Sequence, residues 1–391
     1  VFTYIGFKNF FSFKEGAEVS FVLDKRVQET IPSYNGVSYI MGIKGANGSG
    51  KTNIIRAIGF VSKFIARSSN YSVEEKVKID SFFDNSEPSE FSVEFILDGC
   101  NYSYDLILDK HKVHYEKLSR KIKREVVVFE RKDDKVVECL KAISEIKKIK
   151  MKANSSLISM IDKFNFESPM EDLNRVLKYF ELVVCNVGYA GLIDKFSGFD
   201  FTDVSEFYHE NDELRIFMVD FLKTVDPSIS NIRIIRSQPD GSDTVSYLPF
   251  FDHEYEGELY SLSIHDESSG TKILYKTLAM YWVTIVKGCV LALDEFDIHL
   301  HAMMLPKILE LFENEKINDK QAQFIFTAHN TEIMDYLGKY RTVLVDKVGA
   351  ESYCYRLDEI PTDILPNSVV RSDRKISNLY LKKKLGGVPN L

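Results

Sequence analysis

The sequence predicts an α/β fold: a mixed core sheet carrying a phosphate-binding loop, an antiparallel sub-sheet beside it and a helical insertion. Three observations predict this. Gly45-Ala46-Asn47-Gly48-Ser49-Gly50-Lys51-Thr52 is a complete G-x-x-x-x-G-K-[ST] loop. It stands between an apolar run over residues 37–43 and a segment in which Ile54, Ile55, Ala57, Ile58, Val61 and Phe64 fall at helical spacing. Runs of alternating character at 91–97 and 102–108 flank Asp98-Gly99, a hairpin signal. From Val136 to about Asp226, lysines and glutamates interleave with Leu, Ile and Phe at helical spacing, with few turn residues before Gly188.

Composition sets the frame for the elements. A chain of 391 residues can bury a large core and hold two domains. Hydrophobic residues at 45% and charged residues at 28% are ordinary for a globular protein. The net charge of −8 argues against a generally basic nucleic-acid coat and leaves room only for a local basic groove. Cys100, Cys139, Cys185, Cys289 and Cys354 share no C-x-x-C spacing, which points to reduced thiols in a cytoplasmic protein. The longest apolar stretch, 278–293, is short for a bilayer and is broken by Lys287. No signal segment opens the sequence, so a soluble protein without membrane association is expected.

In chain order, residues 1–30 alternate apolar and polar and read as strands of a sheet with a nucleotide at one end. In the phosphate loop, glycines let successive N–H groups turn toward phosphates, and the helix N-terminus adds partial positive charge. Lys51 would lie against the β/γ oxygens and the Thr52 hydroxyl would take one Mg²⁺ position. Val126-Val127-Val128-Phe129 continues the antiparallel meander after the hairpin. Three divisions are expected: 1–135 as an N-terminal lobe, 136–226 as the helical insertion and 227–391 as a C-terminal lobe. Strand character returns at 231–235 and near 245–248.

The C-terminal lobe holds the second cluster. Ser268 and Ser269 are N-cap candidates for a helix with Ile273, Leu274, Leu278, Trp282 and Ile285 on one apolar face. An ordinary capped core helix would explain that stretch equally well. The next segment shifts the balance: Val290-Leu291-Ala292-Leu293 is an apolar strand ending in Asp294 and Glu295. Beside a phosphate loop, Asp294 is the metal candidate and Glu295 the general base. Residues 324–327 form a third apolar strand tipped by His329, suited to contacting a γ-phosphate or positioning water. His299 and His301 sit at i, i+2, but no further ligand at the right spacing supports zinc.

Taken together, these residues resemble the ABC-type ATPases of the SMC, RecF and overcoming-lysogenization-defect group. Loop, Ser-x-Gly helix start, Asp-Glu strand and strand-tip His come in that order. More narrowly, the chain resembles the prokaryotic AAA-fifteen ATPases. That likeness rests on Phe7-Lys8-Asn9-Phe10, on residues 88–95, on Asp294-Glu295-Phe296-Asp297-Ile298-His299-Leu300-His301, on Thr327-Ala328-His329-Asn330-Thr331 and on residues 380–389. It implies ATP and Mg²⁺ as ligands, with Gly45, Asn47, Gly48, Ser49, Gly50, Lys51, Thr52 and Asn53 around the nucleotide. It also implies that Ser268, Ser269, Gly270 and Thr271 of one head face the loop of a second, in a head-to-head dimer or larger homo-oligomer. Catalysis would fall to Glu295, His329 and Lys51, and metal binding to Thr52 and Asp294.

Two departures from the ABC pattern imply slow turnover. Ser269 replaces the first signature glycine, and His301 stands where transporters carry an aspartate, as in the overcoming-lysogenization-defect group. A Q-loop glutamine has no clear counterpart. Many AAA-fifteen proteins resemble the ATPase subunits of phage-defence systems and work beside a nuclease or toxin. A sensor or scaffold controlling a separate effector is therefore the expected function, since the sequence shows no nuclease centre of its own. Two other readings compete: a RecF-like DNA-binding repair ATPase, and a module that holds ATP structurally. For nucleic acid the candidate surfaces are Lys117, Arg120, Lys121, Lys123 and Arg124; Lys147, Lys148, Lys150 and Lys152; and Lys382, Lys383 and Lys384.

Overall fold

The computed structural model describes residues 1–27, 29–193, 201–238, 245–298, 300–360 and 375–387. Its centre is a six-stranded sheet in the order Val184–Cys185, Val290–Leu293, Gln323–Thr327, Ile40–Gly45, Thr342–Val348, Glu351–Arg356. The first five are parallel and the last is antiparallel. Three of these strands, Ile40–Gly45, Val290–Leu293 and Gln323–Thr327, are buried at every position, as the near-continuous apolar runs demand of a sheet covered on both faces. Alternation distributes their side chains. Met41, Ile43, Ala292, Ile325 and Val345 enter one core, and Ile40, Leu291, Leu293, Phe324 and Phe326 enter another on the opposite face.

The first core lies between this sheet, the phosphate-loop helix Lys51–Arg67 and a seven-stranded antiparallel sheet. That second sheet runs Lys135–Cys139, Glu125–Lys132, Val113–Lys121, Cys100–Leu108, Ser89–Leu97, Phe2–Lys8, Ala17–Ser20. Its hairpin at Asp98-Gly99 has φ of 51° and 72°, the paired positive values a two-residue turn of this hand requires. The strand Val113–Lys121, which no sequence pattern announced, carries Glu116 to full burial against Arg131 at 3.2 Å. Gln323 stitches the two sheets: its amide accepts from the Phe2 N–H at 2.7 Å and donates to the Phe2 and Ser38 carbonyls.

The segment 136–226 is mixed rather than purely helical and is shared between the cores. A 3₁₀ stretch over Lys141–Lys148 and the helix Glu171–Glu181 join the first core. Val184–Cys185 then enters the central sheet, and the helices Phe201–Glu210 and Asp212–Val225 join the second core. There they cover a three-stranded antiparallel sheet, Ile229–Ser237, Ser246–Tyr255 and Glu258–Ser263, and pack on the helix Ser269–Lys287. That helix buries Leu274, Tyr275, Leu278, Tyr281 and Ile285. Ile273 and Trp282, expected on its apolar face, are only half-buried, because Tyr275 and Tyr281 take the inward positions instead. The Tyr275 hydroxyl meets Ser205 at 2.8 Å and so stays satisfied inside the core.

A third, smaller core places the end of the described chain behind the phosphate loop. The helix Ile376–Leu381 packs with Met334, Leu344 and Leu357. No helix among the described residues is long and apolar enough to cross a membrane. None of the five cysteines is in a disulfide.

Candidate nucleotide site

The phosphate loop closes at the C-terminal end of Ile40–Gly45, at the mouth of the central sheet. Two of its glycines are required by geometry. A Cβ on Gly45 would lie 2.3 Å from the Val345 carbonyl oxygen, and Gly50 has φ of 112° with no room for a side chain beside Ser12 and Ser352. Asn47 and Gly48 are exposed at the tip, whereas Ser49 turns under the loop with its hydroxyl buried and unpartnered. Lys51 folds back to donate to the Gly45 and Ala46 carbonyls at 2.9 and 3.0 Å. Burial lowers its pKa, against the pull of Asp294, Glu295 and Asp297. The Asn53 side chain bonds Ser12 at 2.8 Å and Arg56 at 2.5 Å.

The neighbouring strand ends supply the acids. Asp294 is 4% exposed and accepts from the Thr52 hydroxyl at 2.7 Å and the Thr327 hydroxyl at 2.5 Å. Glu295 follows in a left-handed conformation, φ 53°, with its N–H donating to Thr327 at 2.8 Å. A non-glycine residue held there costs roughly 1–3 kcal/mol, a form of strain that clusters at functional sites. Its carboxylate faces His329 Nε2 at 3.2 Å. The loop threonine, the acid pair and the strand-tip histidine, far apart in the chain, are thus brought together at one edge.

Residues with no motif of their own hold these groups in place. The Asn186 amide accepts from Asp294 N–H at 2.7 Å and donates to the Asp294 carbonyl at 3.0 Å. Asp297 accepts from the N–H groups of His329 and Asn330 at 2.6 to 3.0 Å. The Lys44 ammonium donates to the carbonyls of Ala328 and His329, and burial brings its pKa down to about 8. A pocket of about 300 Å³ opens beside the acids, lined by Asn186, Thr277, Met280, Asp294, Glu295 and Ile298. The only advance signals were Lys44 next to the loop glycine and Asp297 two residues past Glu295.

The stretch expected to act as a signature opens the helix Ser269–Lys287. Ser268 caps the helix, its hydroxyl accepting from Thr271 N–H at 3.1 Å, and Ser269 is the first helical residue rather than a second cap. Ser268 and Ser269 are exposed and Gly270 half-buried. Among the described residues no hydrogen bond joins 268–271 to the phosphate loop. His301 caps the turn Ala302–Met304, accepting from Met303 N–H at 3.3 Å; His299 lies outside the described residues. No cluster suited to a zinc-type ion occurs among the described residues. Of the basic candidates, Lys117 pairs with Glu125, Arg120 donates from Nη1 to both Asp172 carboxylate oxygens, and Lys152 donates to the Ser69 and Tyr71 carbonyls.

A family model described as "AAA domain, putative AbiEii toxin, Type IV TA system" matches residues 40–147 and 161–335, which include the loop, the signature helix, the acids and the strand-tip histidine. The chain belongs to this family. By family it is an AAA-type ATPase. No curated protein matches it. Solved structures with a similar arrangement include an SMC head domain from Thermotoga maritima, at 14% identity and TM-score 0.44, over 91% of this chain and 98% of that one. Others are an Smc head with coiled coil and joint from Pyrococcus yayanosii (12%, 0.43, 92% and 98%) and an SMC head bound to the C-winged helix domain of ScpA (16%, 0.44, 90% and 96%).

Proposed function

We propose that this member of the AAA family binds ATP with Mg²⁺ at the phosphate loop, hydrolyses it slowly, and pairs with a second copy across the nucleotide. The observation that carries the reading is the Thr52–Asp294 contact at 2.7 Å with Glu295 and His329 beside it at the same strand ends. The donor set fits the ligands: two hard oxygens for Mg²⁺ from Thr52 and Asp294, and a glycine cradle at Gly45 and Gly50 that any side chain would fill. Mg²⁺, when bound there, neutralises charge on the β- and γ-phosphates. Lys51 swings from the Gly45 and Ala46 carbonyls to the phosphate oxygens. Glu295 takes the proton of the attacking water, and His329 Nε2 keeps that carboxylate oriented. Asp294 holds its geometry because Thr327 and Asn186 fix its side chain and backbone.

The start of the helix Ser269–Lys287, exposed at Ser268 and Ser269, supports pairing. Its free amides can meet a γ-phosphate only if that phosphate comes from another head. ATP then joins the heads and hydrolysis parts them. The absent first signature glycine and His301 in place of an aspartate support slow turnover. Such a cycle suits a sensor or scaffold that controls a separate effector, a nuclease or toxin, in prokaryotic anti-phage defence. The family's description, which names a putative toxin of a type IV system, supports that setting.

Light scattering with phosphate release tests the reading. Glu295→Gln should lose at least a hundredfold in turnover while gaining a dimer-sized species in Mg·ATP. Normal hydrolysis by the variant, with a mass that ignores nucleotide, would leave a structural ATP-binding module as the better account.

A further inference from the structure

Behind the signature helix lies a chain of four polar side chains that the proposed reaction does not use. Glu267 immediately precedes the cap Ser268, and its side chain is 4% exposed. A carboxylate so buried needs a partner, and it has one: His253 Nε2 at 2.7 Å, on the strand Ser246–Tyr255. The other ring nitrogen of His253 meets the Ser228 hydroxyl at 2.8 Å. Ser228 in turn donates to Asp226 through both its hydroxyl, at 2.6 Å, and its N–H, at 3.0 Å. Asp226 is the C-terminal cap of the helix Asp212–Val225. One line of hydrogen bonds therefore runs from the end of that helix, across the three-stranded sheet, to the start of the signature helix.

Capping explains none of this. The cap of this helix is Ser268 itself, which accepts from the Thr271 N–H. Ser228 is not a nucleophile activated by His253 either, because Asp226 already takes its hydroxyl proton. What the line does fix is position. Between Ser263 and Ser268 the loop is tied to the sheet by the Ile264 N–H to the Pro249 carbonyl at 3.2 Å and by the Glu267 side chain. Without the second tie, a buried carboxylate would lose its partner and seek water, pulling Ser268 with it. A helix start that must meet a phosphate on another head works only within a fraction of an ångström.

We infer that His253 and Glu267 are positioning residues for head pairing: they hold the exposed start of the signature helix where a second copy's γ-phosphate can reach it. The inference rests on the paired-head reading. Its test uses the full chain in the Glu295→Gln background, with light scattering against Mg·ATP concentration. A fluorescent ATP analogue at dilute protein reports single-head affinity, and thermal unfolding is followed in parallel. Adding His253→Ala should raise the ATP concentration for half-maximal pairing at least tenfold with single-head affinity unchanged, while the unfolding temperature falls because Glu267 loses its partner. Adding Glu267→Gln should keep pairing, because the glutamine oxygen still accepts from Nε2. Pairing in the His253→Ala variant at the parent's ATP concentration overturns the inference, as does loss of single-head affinity together with pairing, which marks a purely structural role. If the Glu295→Gln parent never pairs, the functional reading falls and takes the inference with it.

Discussion

Asn186 grips Asp294 by its backbone on both sides, and the carboxylate we propose for the metal is only as well placed as its own Cα. Replacing Asn186 by alanine removes both bonds, a loss of about 1–3 kcal/mol. If that loss is felt in the transition state, phosphate release should fall about 10- to 100-fold with nucleotide affinity nearly unchanged. Steady-state turnover beside equilibrium binding decides it, and unchanged turnover would reduce Asn186 to packing. Lys44 makes a different prediction. Burial lowers its folded pKa to about 8 from an ordinary 10.5, so between those values the folded protein has shed a proton that the unfolded chain keeps. Stability from this group therefore rises with pH across that window, and below it the cost of burying the charge is fully present. Urea midpoints at pH 8 and pH 10 should show the increment in the wild type relative to Lys44→Met, and equal increments in both would sink the claim. That Thr52, Asp294, Glu295 and His329 converge was legible in the sequence, because each stands in a motif of local spacing. Asn186 was not, because its role exists only once strands 108 residues apart lie side by side.

Among the elements, the strand Val113–Lys121 was hidden in the sequence for a physical reason. Its inward position 116 is a glutamate, so the alternation of apolar residues breaks where the strand is most buried. Glu116 is satisfied by the Tyr104 and Ser156 hydroxyls, the Leu157 N–H and Arg131, and Arg131 also donates to the Ser155, Lys152 and Asp133 carbonyls. Removing one partner leaves an uncompensated buried charge. Arg131→Ala should cost about 3–5 kcal/mol in urea unfolding, more than replacing both partners with apolar residues of similar volume. The reverse order would show that the pair itself stabilises the sheet. The hairpin at Asp98-Gly99, by contrast, was legible from two letters, since that turn needs positive φ at both. The same local logic found Ser268 as a cap but misjudged the face of its helix, where tyrosines with internal partners outcompete Trp282 for the core.

For the whole molecule, a loop near one end and acids near the other could be united by motif order alone. The path between was less readable. Helical spacing in 136–226 suggested one insertion, yet Ile146 and Phe180 belong to the first core and Tyr208 and Leu222 to the second. Each amphipathic helix declares that it has a core to join, not which one.

The strand that delivers the phosphate loop has both its neighbours, Gln323–Thr327 and Thr342–Val348, far later in the chain. On a ribosome adding about 5–20 residues per second, that strand emerges early and waits on the order of tens of seconds with both hydrogen-bonding edges open. The antiparallel sheet, whose strands all lie within the first 139 residues, has no such delay. Nascent chains stalled before Gln323 should resist protease across Ser89–Leu108 and be cut around Ile40–Gly45, and equal protection of both would refute this order of assembly. A cell making this protein would then have an interval in which the edge that later carries the phosphate loop is open to any passing strand.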